Sequence, residues 1–497
     1  MPKGPSPPAP TPATRLFSEA VALHQQGDLA GAEVRYRQLL AVQPGDPDAL
    51  HHLGLIAYST GHLEEAAGHI EESLRRKPGN AAAHANLGLV RHDRGDYPGA
   101  LAACDAALRL QRNYPEAHYN RGNTLRALGR LEDAIASYER ALRLRPDFVG
   151  PLVNRARTLR DLGRLDAALA GNARALAVAP DLAQAHLNQA MLHLLHGDFA
   201  RGFPEFEWRW HDPQLAGARR DFGVPQWRGD TDLAGRTLLI HAEQGLGDTL
   251  QFVRYAPLAA QRGARVLLEV QPSLRTLVAS LPGGVEVLAR GAALPPVDLH
   301  CPLLSLPLAF GTRLETIPAG PPYLRPDPAR IAHWREQLGP RTGLRIGLVW
   351  SGNPDHNNDR SRSLPLAALQ PLFPLGREFV SLQQDIRPAD LATLQAAGLP
   401  LRHFGEALHD FMDTAALASC VDLVIAVDTA GAHLAGAIGR PLWLLLPWIP
   451  DWRWLLERSD SPWYPSARLF RQPRRGDWDA VVACLGAALA GFVPGPG

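Results

Sequence analysis

The chain has 497 residues, of which 46% are hydrophobic and 20% charged, and its formal net charge is +1. This is the composition of a globular protein long enough for two or three domains. The near-neutral balance excludes the large basic excess expected of a nucleic-acid or anionic-membrane binder.

Taken from the start, MPKGPSPPAPTPATR lacks an apolar signal core and predicts a disordered Pro-rich tail over residues 1–11. The longest apolar run, near PLWLLLPWIP, falls far short of the ~20 residues of a membrane span. Cys104, Cys301, Cys420 and Cys484 are widely spaced, without a CxxC pair. They predict buried free thiols, not a zinc site or a disulfide framework. A soluble, reducing, cytoplasmic setting is expected.

Residues 12–210 are periodic. Gly27, Gly61, Gly95, Gly129, Gly163 and Gly197 recur every 34 residues, and each is followed five positions later by Ala32, Ala66, Ala100, Ala134, Ala168 or Gly202. Pro44, Pro78, Pro146 and Pro180 close four of the units, with Arg112 in the equivalent place of another. The pattern predicts pairs of short amphipathic helices. Glycine permits the tight turn, the small residue lets the second helix approach the first, and proline ends the unit. No pair buries its apolar face alone, so neighbours stack into a superhelix with a concave groove. In each of these positions the array resembles the tetratricopeptide repeat.

Within the array Asn86, Asn120, Asn154 and Asn188 are also 34 apart, on the first helix of each unit, with His52 one repeat earlier. They read either as ordinary polar surface or as a column of amides, each able to donate and accept, gripping an extended peptide backbone. The ladder resembles the repeats of the eukaryotic O-GlcNAc transferases, which implies recruitment of a protein acceptor.

Residues 211–234 read as a linker. From 235 short apolar runs alternate with helical stretches, the mark of βαβ units and parallel sheets. A first lobe over 235–325 contains RTLLIHAEQGLGDTLQFVRYAPLAAQRGARVLLEV, read as strand, glycine turn, helix, strand, and then GVEVLA and VDLHCP. A linker with one helix covers 326–342. A second lobe, 343–497, contains LRIGLVW, EFVSLQ, a helix near TAALASC, VDLVIAV, PLWLLLP and a terminal helix DWDAVVACLGAALAGF. The expected architecture is an α-solenoid followed by two Rossmann-like lobes, with ligands at strand C-termini.

Three loops carry candidate chemistry. In EQGLGDTLQF, Gly245 and Gly247 follow a strand and a helix starts near Asp248, which serves either as its cap or as a functional acid. VWSGNPDHNNDRSRSLP offers Ser351, Gly352 and Asn353 as donors, with Arg360 and Arg362 suited to phosphate oxygens. In AVDTAGAHLAGAIGRP, Asp428 ends a strand, Thr429 to Gly431 make a small-residue turn, and His433 lies in the opening helix.

These loops, in this order, resemble glycosyltransferase family 9, the bacterial heptosyltransferases, which have the GT-B fold. The family pattern D-[ST]-G-x-x-H matches at Asp428, Thr429 and His433 and departs at Ala430, with Gly431 following. The resemblance implies inverting transfer of a sugar from a nucleotide-diphosphate donor, with no bound metal or other cofactor. Asp248 takes the proton from an acceptor hydroxyl on a protein or glycan. Gly245, Gly247, Ser351, Gly352, Asn353, Arg360, Arg362, Asp428, Thr429, Gly431 and His433 hold the donor, and Gln383 in SLQQD meets the nucleoside. In WIPDWRWLL, Asp451, Trp452 and Arg453 stand against sugar or base, or belong to the core. The alternative is an adaptor whose lobes are an inactive remnant, a reading that Ala430 favours. An epimerase-type GT-B enzyme, which gives the repeats no task, is a third.

Overall fold

The computed structural model describes residues 11–212, 219–320, 322–355 and 358–493. The Pro-rich segment 1–10, part of the expected linker, and His356 with Asn357 lie outside the described residues. The chain divides into two compact units, Met1–Ala185 and His186–Gly497.

The first unit is a run of helical hairpins. These are α1 (Pro12–Gln25) with α2 (Leu29–Val42), α3 (Pro47–Ser59) with α4 (Leu63–Arg76), α5 (Ala81–Asp93) with α6 (Tyr97–Leu110), α7 (Pro115–Ala127) with α8 (Leu131–Leu144), and α9 (Val149–Asp161) with α10 (Leu165–Val178). A sixth pair, α11 (Ala183–Leu195) and α12 (Phe199–Phe206), completes the series. The periodic glycines turn each hairpin at φ between +77° and +83°, a region that costs other L-residues ~1–2 kcal/mol. Ala32, Ala66, Ala100, Ala134 and Ala168 are fully buried where the paired helices cross. Asp28, Asp46, Asn80 and Asp96 each accept a backbone N–H three residues on, stabilising four of the helix starts.

The boundary between the units falls inside the sixth repeat. Phe199 and Phe203 of α12 pack against Trp452, with centroids 5.9 and 5.8 Å apart, and Phe199 also meets Trp463 at 6.0 Å. Aromatic burial thus draws the last hairpin into the second unit.

The second unit holds two all-parallel sheets. The first consists of β1 (Thr237–His241), β2 (Arg265–Val270), β3 (Glu286–Ala289) and β4 (Leu299–Pro302) in the order β3-β2-β1-β4. The second consists of β5 (Arg345–Val349), β6 (Glu378–Ser381), β7 (Leu401–Arg402), β8 (Leu423–Val427), β9 (Leu442–Leu446) and β10 (Ala467–Arg471) in the order β10-β9-β8-β5-β6-β7. β5, β8 and β9 are buried along their whole length, as strands covered on both faces must be. Strand order reverses between β1 and β4 and between β5 and β8. Ligand crevices of open α/β sheets form at such points.

Four details differ from the sequence reading. The first glycine-loop helix spans Leu246–Phe252, so Asp248 is its third residue and not its cap, which is Gly245. β7 is only two residues long, and β10 is interrupted by exposed Arg468 and ends on half-buried Arg471, so neither shows as an apolar run. A helix at Pro388–Ala396 was also unforeseen. Cys484 is exposed while the other three cysteines are buried. The terminal helix Trp478–Ala490 turns Val481, Val482, Leu485 and Leu489 inward, leaving position 484 on its outer side.

Candidate functional site

The C-terminal ends of β5 and β8 bring two of the candidate loops together. After β5, the N–H groups of Trp350 and Ser351 donate to Gln383 Oε1 at 2.7 and 3.0 Å. Gln383 Nε2 donates to Ser351 Oγ and to the Asp385 carbonyl, both at 3.1 Å. Gln383 is thus spent on shaping the loop. Gly352 donates to Ser363 Oγ at 3.0 Å and accepts from Arg387 at 2.7 Å, and Arg387 pairs with buried Asp359 at 2.7 Å. Neither Arg387 nor Asp359 stood out in the sequence, because each is an ordinary charged residue until the loop folds back.

Arg362 and Arg360 have different fates. Arg362 Nη1 donates to the Asp428 carbonyl at 2.9 Å, which ties this loop to the end of β8. Its Nε is buried and has no hydrogen-bond partner among the described residues. A Cβ on Gly352 would stand 2.9 Å from Arg362 Nη2 and 3.2 Å from Thr429 Cγ2, so glycine is what lets these groups converge. Arg360 is exposed and makes no hydrogen bond among the described residues. Asn353, also exposed, accepts from the Asp355 N–H at 3.0 Å.

After β8 the chain passes Asp428 and enters the helix Ala430–Ala437. Thr429 stands at its N-cap but does not cap it, since its hydroxyl donates to the Val427 carbonyl at 3.2 Å. Among the described residues nothing accepts from the N–H groups of Ala430 and Gly431. The helix therefore opens with free donors and the positive end of its dipole. Asp428 is buried. Its carboxyl is pushed up to about 6, first by burial and then by Asp451, against the pull of Trp454, Arg453 and Arg362. The Trp454 indole N–H favours the anion from a position outside strict hydrogen-bond geometry.

His433 is buried, its Nδ1 lies 2.9 Å from the Tyr464 hydroxyl, and its ring stacks on Trp454. Burial, with Arg453, Arg254 and Arg362, holds it well below its usual range, so it is neutral. Its Nε2 lies 3.9 Å from Asp428 Oδ1, too far for a hydrogen bond.

The loop after β1 meets this helix. A Cβ on Gly247 would lie 2.9 Å from His433 Cδ2, so only glycine allows the approach. Asp248 Oδ2 accepts from the Gly245 N–H at 3.0 Å, and Oδ1 pairs with Arg453 Nη2 at 2.5 Å. Arg453 also donates to Asp451 at 2.8 Å and Gln251 at 2.6 Å and lies over the Trp452 ring. Its guanidinium is held firmly charged, the carboxylates of Asp451, Asp248 and Asp428 outweighing burial. Arg453 is thus a strut between the two sheets, and Trp452 is core. Arg254, missed in the sequence, is a second strut: it is buried and donates to the Trp463 carbonyl at 2.7 Å and the Tyr323 hydroxyl at 2.9 Å. A third missed group is Glu243, just after β1, which buried Arg209 holds at 3.0 Å.

The asparagine ladder occupies the seams between repeats. Asn86 Nδ2 meets His51 Nε2 at 2.9 Å, Asn120 donates to the Ala85 carbonyl at 3.2 Å, and Asn154 donates to Asn123 Oδ1 at 2.8 Å. Each partner belongs to the preceding first helix, so these donors tie neighbouring units together. Asn120 and Asn188 are buried.

An open cleft of about 730 Å³ is lined by Arg219–Asp221, Val224–Gln226, Arg228, Asp230 and His300, none of which belongs to the three loops. Among the described residues no His, Cys, Asp and Glu side chains are grouped to hold a metal ion, and no helix is long and apolar enough to cross a membrane.

The chain thus joins a tetratricopeptide repeat array to an α/β unit of two parallel sheets whose switch-point loops touch. Tetratricopeptide repeat families match residues 17–81, 53–115, 115–148 and 149–170. Protein FlbA of Caulobacter vibrioides is 30% identical over 344 residues, which cover 62% of this chain and 55% of that protein. The chain therefore spans about half the length of the curated relative it matches. Among solved structures, a tetratricopeptide repeat protein of Thermus thermophilus, TTC0263, is 25% identical, covers 37% of this chain and 99% of that one, and has a TM-score of 0.32. YrrB, a tetratricopeptide repeat protein with an unusual peptide-binding site, is 22% identical, with coverages of 35% of this chain and 89% of that one and a TM-score of 0.31.

Proposed function

We propose that the second unit is a GT-B-type glycosyltransferase resembling family 9, which binds a nucleotide-diphosphate sugar, while the repeats recruit a protein acceptor or partner. The observation that carries this reading is the convergence at the β5–β8 switch point. Free N–H groups of Ala430 and Gly431 and the part-unsatisfied Arg362 come together beside Gly352, whose own N–H is spent on Ser363. This is the equipment that a diphosphate requires, namely helix-end donors and a fixed cation in a dry setting. Arg360 and Asn353 stand at the rim, where they reach a bound donor without first breaking a contact to another element. The acceptor hydroxyl gives its proton to Asp248 as the sugar leaves the diphosphate.

Thermal-shift titration with UDP-, GDP- and ADP-sugars is the primary test, since a ligand of the native state raises its melting temperature. The reading requires one of them to stabilise the full chain, and Arg362→Met to abolish the shift. No shift with any of these donors would remove it.

The adaptor reading has its own support. Both carboxylate oxygens of Asp248 are engaged, by Gly245 and Arg453, and Gln383 is spent inside its own lobe. Catalytic hydrogen bonds tighten or exchange when substrate arrives, so the unliganded geometry leaves Asp248 a candidate base. Donor binding that survives Asp248→Asn while transfer is lost supports the enzyme. Donor binding with no transfer by the wild type to any acceptor captured on the repeats supports the adaptor.

A further inference from the structure

Residues 219–230 form a strap beside β4 that walls the open cleft. The strap is pinned. The Pro225 carbonyl accepts from the His300 N–H at 3.1 Å, and the Trp227 N–H donates to the His300 carbonyl at 2.7 Å, so one parallel bridge extends the sheet. Trp227 is buried, and its indole N–H donates to the Thr231 carbonyl at 2.9 Å. Arg220 is spent on buried Glu269, at 2.7 and 2.9 Å. The cleft is thus preformed, and its volume of about 730 Å³ falls within the ~300–1,000 Å³ of small-molecule sites.

The polar groups of the lining are opposite in sign yet do not pair with one another. Arg219 and Arg228 are exposed, and among the described residues their guanidinium groups have neither a hydrogen bond nor an ion pair. Asp221 Oδ1 accepts from the Gly223 N–H at 2.9 Å. Asp230 Oδ1 accepts from the Arg228 N–H at 3.4 Å and the Thr231 hydroxyl at 3.3 Å. Both Oδ2 atoms are left open among the described residues. Gln226 Nε2 donates to Glu207 at 3.2 Å, which leaves its Oε1 to accept.

His300 adds a donor whose tautomer the fold selects. Its Nδ1 lies 3.2 Å from His241 Nε2, and the Phe222 ring stands 4.7 and 5.0 Å from the His241 and His300 rings. Burial above all, with His300 and Arg220 next, holds His241 down to about 3, and burial with Arg219 lowers His300, so both rings are neutral at pH 7. His241 Nδ1 is buried without a partner among the described residues. A proton there would be an orphaned buried donor, the rarer and costlier arrangement. His241 therefore carries its proton on Nε2 and donates it to His300 Nδ1. That leaves His300, half-buried on the cleft wall, with its own proton on Nε2.

We propose that this cleft binds a neutral oligosaccharide, whose hydroxyl groups bridge the donors Arg219, Arg228 and His300 Nε2 and the acceptors Asp221, Asp230 and Gln226. An anion would face two carboxylates and a cation two guanidinium groups, each a repelled arrangement. A hydroxyl donates and accepts at once, so vicinal hydroxyls of a sugar ring satisfy both sets together. The site goes beyond the donor reading and does not depend on it.

The test is an array printed with neutral, sulfated and sialylated glycans, probed with the full chain labelled at exposed Cys484. Neutral glycans should be retained, and the best of them is then titrated in solution by saturation-transfer NMR. Arg228→Ala and Asp221→Ala, both at exposed positions, should melt like the wild type and weaken that glycan at least ~10-fold, the loss of one charged hydrogen bond. His300→Gln keeps an N–H donor and should bind within about threefold, whereas His300→Leu should lose at least ~10-fold. If the His300 variants melt lower, the Arg228 and Asp221 variants decide. Arg474→Ala, at a side chain 84% exposed, is the control and should leave binding within about twofold. Retention confined to sulfated or sialylated glycans overturns the proposal, as does retention of no glycan or equal affinity in wild type and Arg228→Ala. The nucleotide-sugar titration reads Arg362, so failure there and failure here are distinguishable.

Discussion

Replacing Asp428 by Asn should stabilise the unliganded protein. A carboxyl raised from 3.8 to about 6 is costly as an anion, and at pH 7 that cost is ~3 kcal/mol. The sign follows from proton binding. Between the two values the folded state holds a proton that the unfolded state has released, so stability falls as pH rises through this window. Above about 6 the penalty is complete, and below 3.8 it vanishes. Asn has nearly the same shape and no charge, and the Asp428 carbonyl that holds Arg362 is backbone and survives the change. The gain should be ~3 kcal/mol at pH 7 and about half that at pH 5, or ~5 °C in the melting of a unit of this size at neutral pH. Differential scanning calorimetry of wild type and variant between pH 5 and 8 reads it. A variant that melts lower at pH 7, or an advantage that does not change with pH, refutes the electrostatic account of this site.

Three further outcomes follow from the packing. Gly247→Ala forces a methyl to 2.9 Å from His433 and should cost ~1–3 kcal/mol in urea unfolding of the second unit, together with donor affinity. Arg453→Met leaves Asp248 and Asp451 without their shared cation and should cost ~3 kcal/mol or more, whereas a neutral effect would remove Arg453 as an inter-sheet strut. Gly129→Ala, at φ +77°, should cost ~1–2 kcal/mol in circular-dichroism melting of the repeats, with no effect on nucleotide-sugar binding.

The repeats were legible because a strict 34-residue period repeats one backbone requirement, a left-handed turn, that glycine meets most cheaply. The buried strands β5, β8 and β9 were legible because burial on both faces writes continuous apolar runs. β10, whose three buried residues are broken by exposed Arg468, and the two-residue β7 leave no such trace. Candidate loops could be placed at strand ends, but not their internal partners. That Gln383 binds Trp350 and Ser351, or that Arg453 reaches Asp248, depends on side chains over 30 and over 200 residues apart. Their meeting is a product of sheet order, which local patterns do not encode. The asparagine ladder shows the same limit. Its spacing was plain, but its amides donate into the seams between units and are not all turned outward for a ligand.

The second unit satisfies most of its helix starts, and exceptions fall in the loops after β1, β5 and β8. Asp198, Asp327, Asp410 and Asp477 each cap a helix with a side-chain oxygen. The helix Pro388–Ala396 needs less, because its first residue has no N–H to satisfy. Ala430–Ala437 has neither device. At the same place Arg362 Nε has no partner among the described residues and Asp428 is held at a cost. The first two are each an ordinary defect of ~1–2 kcal/mol, and the third costs ~3 kcal/mol at pH 7. The open N–H groups and the guanidinium at the β5–β8 crossing are donors that one diphosphate could accept from, and an anion there would hold Asp428 in its protonated form. That argument supports a binding site equally for an enzyme and for an adaptor that senses nucleotide sugars. What separates them is Asp248, whose carboxylate holds one partner on each oxygen, Gly245 and Arg453, and keeps lone pairs for a proton that only an enzyme would deliver.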